Sequence, residues 1–260
     1  MNRWPSRAEE LAERQRELAH RADLAAASDP WSPAQPPLVA GCFVAFARGE
    51  AGPGKPGDRA WAAAVVWRAG QSADNVARTV DSHLRGPPED GLPRRADDIV
   101  AQAVVAARVP AAYVPGLLAL REGPVLAAAV GALELLPDVL LVDATGVDHP
   151  RRAGLAVHLG AALDIPTVGV TQRPLIAAGS LPELVRGTST PLYLGGRRVG
   201  SWVCTRTGAR PIVAHAAWRT TAEVAVETVL LASTPGARTP VPLQEARRVA
   251  REARARAGAG

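Results

Sequence analysis

A short apolar run, "PDVLLVDA", is followed by "HPRRAGLAVHLGAALD" and then by "IPTVGVTQ". The first and last are strand-length, and the middle is helix-length with Gly154, Ala156 and Gly160 for close packing. This strand–helix–strand order commits the chain to an α/β sheet covered by helices. Upstream, "LVAGCFVAFARG" and "AWAAAVVWR" flank the turn-rich "GEAGPGKPGDR" and predict a β-hairpin. Downstream, "PLYLGGRRVGSWVCTRTGARPIVAHA" predicts a hairpin pair turning at Gly195-Gly196 and Gly208. The sheet is therefore mixed. Ligand sites in such sheets gather at the carboxyl ends of the strands. One run stops at such an end on Asp143, with His149, Arg151 and Arg152 close behind.

The flanking segments predict three parts. Residues 1–37 hold a charged helix over 6–26, with Leu11, Leu18 and Leu24 near helical spacing, and a Pro-rich linker. Residues 38–246 form the main domain, and 247–260 a basic tail, helical and then frayed. Within the domain, "IVAQAVVAARVP" reads as a strand or an apolar connector, and polar 70–98 as an irregular insertion. One helix is expected to open near Pro124, another at Pro150, and a third after Thr221 as cap. With 260 residues and 47% hydrophobic content, a sizeable core is available.

A net charge of +5 favours an acidic partner such as nucleic acid. Cys42 and Cys204 lack zinc spacing and suit a reducing compartment, so a cytoplasmic protein is expected. No apolar run approaches the ~18–20 residues that span a bilayer, and no membrane partner is expected. The N-terminus, with Arg3, Arg7, Glu9 and Glu10, does not read as a signal peptide.

Three blocks carry a resemblance: "YVPGLLALREGP" at 113–124, "LVDATGVDHPRRAGLAVHLG" at 141–160 and "DIPTVGVTQ" at 164–172. In this order and spacing they resemble the endonuclease V family, and the likeness runs from about residue 8 to about residue 246. The resemblance implies a ribonuclease-H-like mixed sheet flanked by helices. It implies a metal-dependent nuclease that cuts DNA or RNA near deaminated bases, chiefly inosine, at the second phosphodiester on the 3′ side, and acts as a monomer. Hard Mg²⁺ or Mn²⁺ takes carboxylate oxygens, activates water and offsets charge on the leaving oxygen. On this resemblance Asp143 and Glu122 are the metal ligands, and His149 lies near the scissile phosphate. Tyr113, Val114, Pro115 and Gly116 form the wedge that parts strands at the lesion. Gly146, Arg151 and Arg152 face nucleic acid, the two arginines opening a helix whose N–H groups favour phosphate.

Several positions depart from the family pattern. Its first strand carries a central metal-binding Asp, and here Phe43 stands in that place. The family's phosphate-side Lys is Gln172, and further departures are Thr145, Asp148 and Gln244. A phenyl ring offers no oxygen. Losing one such electrostatic group costs about 10²–10³ in rate. The expectation is a nucleic-acid-binding protein with weakened or lost cleavage. Two alternatives stay open: an active nuclease with a rearranged metal site using Asp148, or more faintly Asp58, and a pseudoenzyme repurposed for another ligand or partner.

Overall fold

The structure, a computed structural model, describes residues 4–33, 37–47, 53–68 and 98–258. In chain order the elements are α1 (Ala8–Ser28), β1 (Leu38–Phe46), β2 (Arg59–Arg68), β3 (Ile99–Arg108), α2 (Leu118–Gly131), β4 (Val139–Val142), α3 (Leu155–Leu163), β5 (Thr167–Thr171), β6 (Ser189–Leu194), β7 (Arg197–Val203), β8 (Ile212–Ala216), α4 (Ala222–Leu231) and α5 (Val241–Ala257). The strands form one eight-stranded sheet in the order β3-β2-β1-β4-β5-β8-β7-β6. The strand–helix–strand run supplies parallel β4 and β5, with β1 parallel to β4, and antiparallel hairpins extend both sides. The expected irregular 70–98 insertion lies, save for Asp98, outside the described residues.

Helices cover both faces. One core layer joins Leu11 and Leu18 of α1, Val125 and Leu126 of α2, and Val157 and Leu159 of α3 to the sheet through Leu140 and Val142. The opposite layer packs α4 and α5 through Val229, Leu243, Ala246 and Val249 against Val39, Leu141, Ala63 and Val65. So α1 is part of the core.

Three expectations change. The helix expected near Pro124 begins at Leu118 and holds Pro124 inside it. Burial of Ala119 and Leu120 before the proline and of Val125 and Leu126 after it carries the helix through the lost hydrogen bond. The helix expected at Pro150 begins at Leu155, because Arg152 adopts a left-handed φ of 57° that no helix accommodates. Arg151 and Arg152 therefore open no helix. The boundary expected at residue 246 falls inside α5, which is docked on the sheet through Leu243, Ala246, Val249 and Ala250 and is not a solvated tail. Thr221 does cap α4, its hydroxyl accepting from Val224 N at 3.3 Å.

Candidate active-site cleft

Parallel pairing of β1 with β4 sets Cys42 level with Val142. Phe43, inside β1, and Asp143, directly after β4, are each one residue further on, so they lie side by side and face the same way. Glu122, in the second turn of α2, comes in from the other helical layer. These three residues and Tyr113 line one cavity of about 330 Å³, whose walls are completed by Cys42, Val44, Leu118, Leu126 and Val142. Burial pushes the Glu122 carboxyl up to about 7; the Asp143 charge adds to the rise and Arg121 opposes it. Burial also pushes the Cys42 thiol up, which keeps it unreactive.

A cation already sits on Asp143. Arg247 of α5 donates from Nη2 to Asp143 Oδ2 at 2.8 Å. The same guanidinium lies 5.1 Å from the centre of the Phe43 ring, and that of Arg251, one turn on, lies 5.8 Å from it. The aromatic face and the carboxylate thus hold Arg247 together. The sequence placed Arg247 and Arg251 in a tail; their spacing with buried Leu243, Ala246 and Ala250 was the available sign of a docked face.

Among the described residues, no three His, Cys, Asp or Glu side chains converge to hold a metal ion. A hard dication needs oxygen donors free to turn toward it. Here one carboxylate of the pair is engaged by a guanidinium, and the adjacent strand position offers a ring. The residues present do not fit Mg²⁺ or Mn²⁺.

Asp148 does not join the cleft. It is fully buried, and its two oxygens accept from Leu175 N at 2.7 Å, Ile176 N at 3.0 Å and Ala177 N at 2.8 Å. Asp58 is likewise buried and paired with Arg121 at 2.9 Å. Gly146 packs where a Cβ would meet Ala216 O at 2.0 Å, so it serves close backbone approach.

The "YVPG" segment is a turn closed by Leu117 N donating to Val114 O at 2.9 Å, with Gly116 at φ 76°. A positive φ at the third turn position calls for glycine. Tyr113 is 46% exposed and Val114 44%, so both project from the surface. The Gly116 carbonyl accepts from Gln15 Nε2 at 3.1 Å and Arg151 Nη2 at 3.0 Å. His149 completes the clamp. Its Nδ1 accepts from Arg151 N at 3.2 Å, which leaves the proton on Nε2 to donate to Gly116 O at 3.1 Å. Burial lowers the His149 pKa and so favours this neutral form. Arg151 also holds Gln15 Oε1 at 2.5 Å, and Arg152 pairs with Asp23 at 3.0 Å. His149, Arg151 and Arg152 thus anchor the projecting turn and α1. Gln172, at the end of β5, accepts from Arg238.

The family model for endonuclease V matches residues 93–248, more than half of the sequence. The chain belongs to the endonuclease V family. Endonuclease V from Streptomyces coelicolor is 43% identical over 114 residues, which span 44% of this chain and 49%, about half, of that relative. The crystal structure of endonuclease V from Streptomyces avermitilis superposes with a TM-score of 0.76 at 32% identity, covering 98% of this chain and 96% of that one. Endonuclease V from Ciona intestinalis, solved with a 24mer DNA containing an inosine followed by a ribo-adenosine, superposes at 0.64 with 20% identity over 94% and 95% of the chains. At that identity the likeness concerns fold. The eight-stranded mixed sheet flanked by helices is the endonuclease V fold. The strand bearing Phe43 lies outside the matched residues 93–248, and its place beside Asp143 rests on the sheet register.

Proposed function

We propose that this member of the endonuclease V family binds inosine-containing nucleic acid without efficient metal-dependent cleavage. The observation that carries this is the Arg247–Asp143 ion pair beside Phe43. In a family of metal-dependent nucleases, that arrangement puts a protein cation against the acid that would grip the dication. Binding elements remain. The turn bearing Tyr113 and Val114 projects from a rigid base, and an aromatic side chain there suits stacking against an unpaired base. His149 and Arg151, which anchor this turn, have a structural use in the absence of chemistry. The Ciona relative's inosine-containing DNA supports the choice of ligand. Asp148, with both oxygens held by backbone N–H groups, gives a rearranged metal site little support.

The test is incubation with inosine-containing and matched control DNA and RNA, with Mg²⁺ and with Mn²⁺. Binding and strand scission are followed in parallel. Preferential binding of the inosine strands with no product above background is expected. Rapid scission that is abolished by Asp143→Asn would overturn the reading.

A further inference from the structure

A second cavity, about 560 Å³, is lined by Gln172, Arg173, Arg206, Ala209, Arg210 and Arg238. Four of these six residues are arginines and none is acidic. Elsewhere several arginines are paired: Arg121, Arg152, Arg197, Arg198 and Arg247 each hold a carboxylate. In this cluster four arginines gather with no acidic residue in the lining.

Arg238 forms the floor. Its Nε donates to Arg210 O at 2.6 Å, its Nη2 to Pro211 O at 3.1 Å, and its Nη1 to Gln172 Oε1. Burial lowers its pKa, and the charges of Arg210 and Arg206 lower it further. Like charges are therefore held together with carbonyl and amide oxygens as partners and no anion. The rim is stiff. Ala209 N donates to Arg206 O at 3.1 Å, Gly208 N to Leu184 O at 2.8 Å, and Thr171 Oγ1 to Arg173 O at 2.7 Å. The exposed side chains of Arg173, Arg206 and Arg210 rise from this fixed base. A cavity walled by one sign of charge attracts the opposite sign, and guanidinium forks match phosphate oxygens.

Its position narrows the ligand further. The cavity gathers at the end of β5, the start of β8 and the end of β7, all on one edge of the sheet. Since β4 and β5 are parallel, Asp143 lies on that same edge. The separation is two or three strand spacings, roughly 10–15 Å. One extended strand can cross both sites.

We propose that this arginine cavity is a phosphate-binding site that takes a backbone phosphate of the strand crossing the Asp143–Glu122 cleft. That the phosphate belongs to nucleic acid rests on the proposed function; the anion site itself does not.

The test is the double variant Arg206→Ala/Arg210→Ala, which leaves in place the main-chain carbonyl that holds Arg238. Its control is Arg16→Ala/Arg68→Ala, an equal charge loss at exposed positions outside the cavity, Arg68 being level with Leu38 at the other end of the sheet. Affinity for a single-stranded inosine-containing oligonucleotide is measured by fluorescence anisotropy across a salt series. The slope of log affinity against log salt should flatten by about 0.7, the value for one phosphate no longer neutralised, with the control nearer to wild type. Equal behaviour of the two variants would overturn the site. Inorganic pyrophosphate provides a second arm, read as a melting-temperature rise over chloride at matched ionic strength. If wild type binds no oligonucleotide, a pyrophosphate shift abolished only by Arg206→Ala/Arg210→Ala keeps the anion site and refutes the nucleic-acid assignment. Absence of both responses refutes both.

Discussion

Replacing Glu122 with Gln keeps the shape of the side chain and removes its titration. The wild-type carboxyl is raised from 4.5 to about 7, chiefly by burial and then by the Asp143 charge. A carboxyl raised in this way is favoured by the fold only while protonated. Between these two values the unfolded chain gives up the proton and the native chain keeps it, so native stability falls as pH rises through the window. At about 1.4 kcal/mol per pH unit, a rise of this size corresponds to about 3 kcal/mol. Glu122 is partly open to water through the cavity, and screening brings the expected effect to about 2 kcal/mol. Glu122→Gln should therefore match wild type near pH 4.5 and exceed its unfolding free energy by about 2 kcal/mol near pH 8.5. Urea unfolding followed by tryptophan fluorescence at a series of pH values measures this, with an unchanged m-value showing that the unfolded reference is the same. A variant less stable than wild type near pH 8.5 would refute the reasoning, because it would mean that the carboxylate is held in its charged form.

Other outcomes follow from the same geometry. Phe43→Asp combined with Arg247→Ala adds a carboxylate and removes the competing cation; a Mn²⁺-dependent rise in melting temperature should appear in the double variant and be absent from wild type. Asp148→Asn keeps the volume but weakens the acceptor for three backbone N–H groups, and should lower the unfolding free energy in denaturant by about 2 kcal/mol. Burial lowers the His149 pKa and takes that of His158 down to about 3. Below about pH 6.5 the unfolded chain protonates these histidines while the native one resists, so stability should fall with acidification, and His158→Asn should flatten that limb of the stability–pH curve.

The sheet was legible because its strands carry uninterrupted apolar runs with glycine-rich turns. Gly195-Gly196, at φ 57° and 77°, is the two-residue hairpin turn the sequence called for. Helix starts were harder to read. Pro124 and Pro150 are both local start signals, yet burial extended one helix past the first and a left-handed Arg152 delayed another beyond the second. The cleft was half visible. Asp143, Glu122 and Phe43 do meet, since strand register and helix phase are pattern properties. Arg247 was missed because its partner is 104 residues away in sequence, a separation no local pattern encodes. The role of His149 was hidden for the same reason: the Gly116 carbonyl it binds lies in another segment.

The Gly116 carbonyl receives hydrogen bonds from α1 and from the segment following β4, so the turn bearing Tyr113 and Val114 is tied at once to two distant parts of the chain. Its ordering entropy is lost when the protein folds and not when a strand arrives. Loosening any one of the three donors should therefore slow capture of a partner and weaken it, even with every residue of the turn intact.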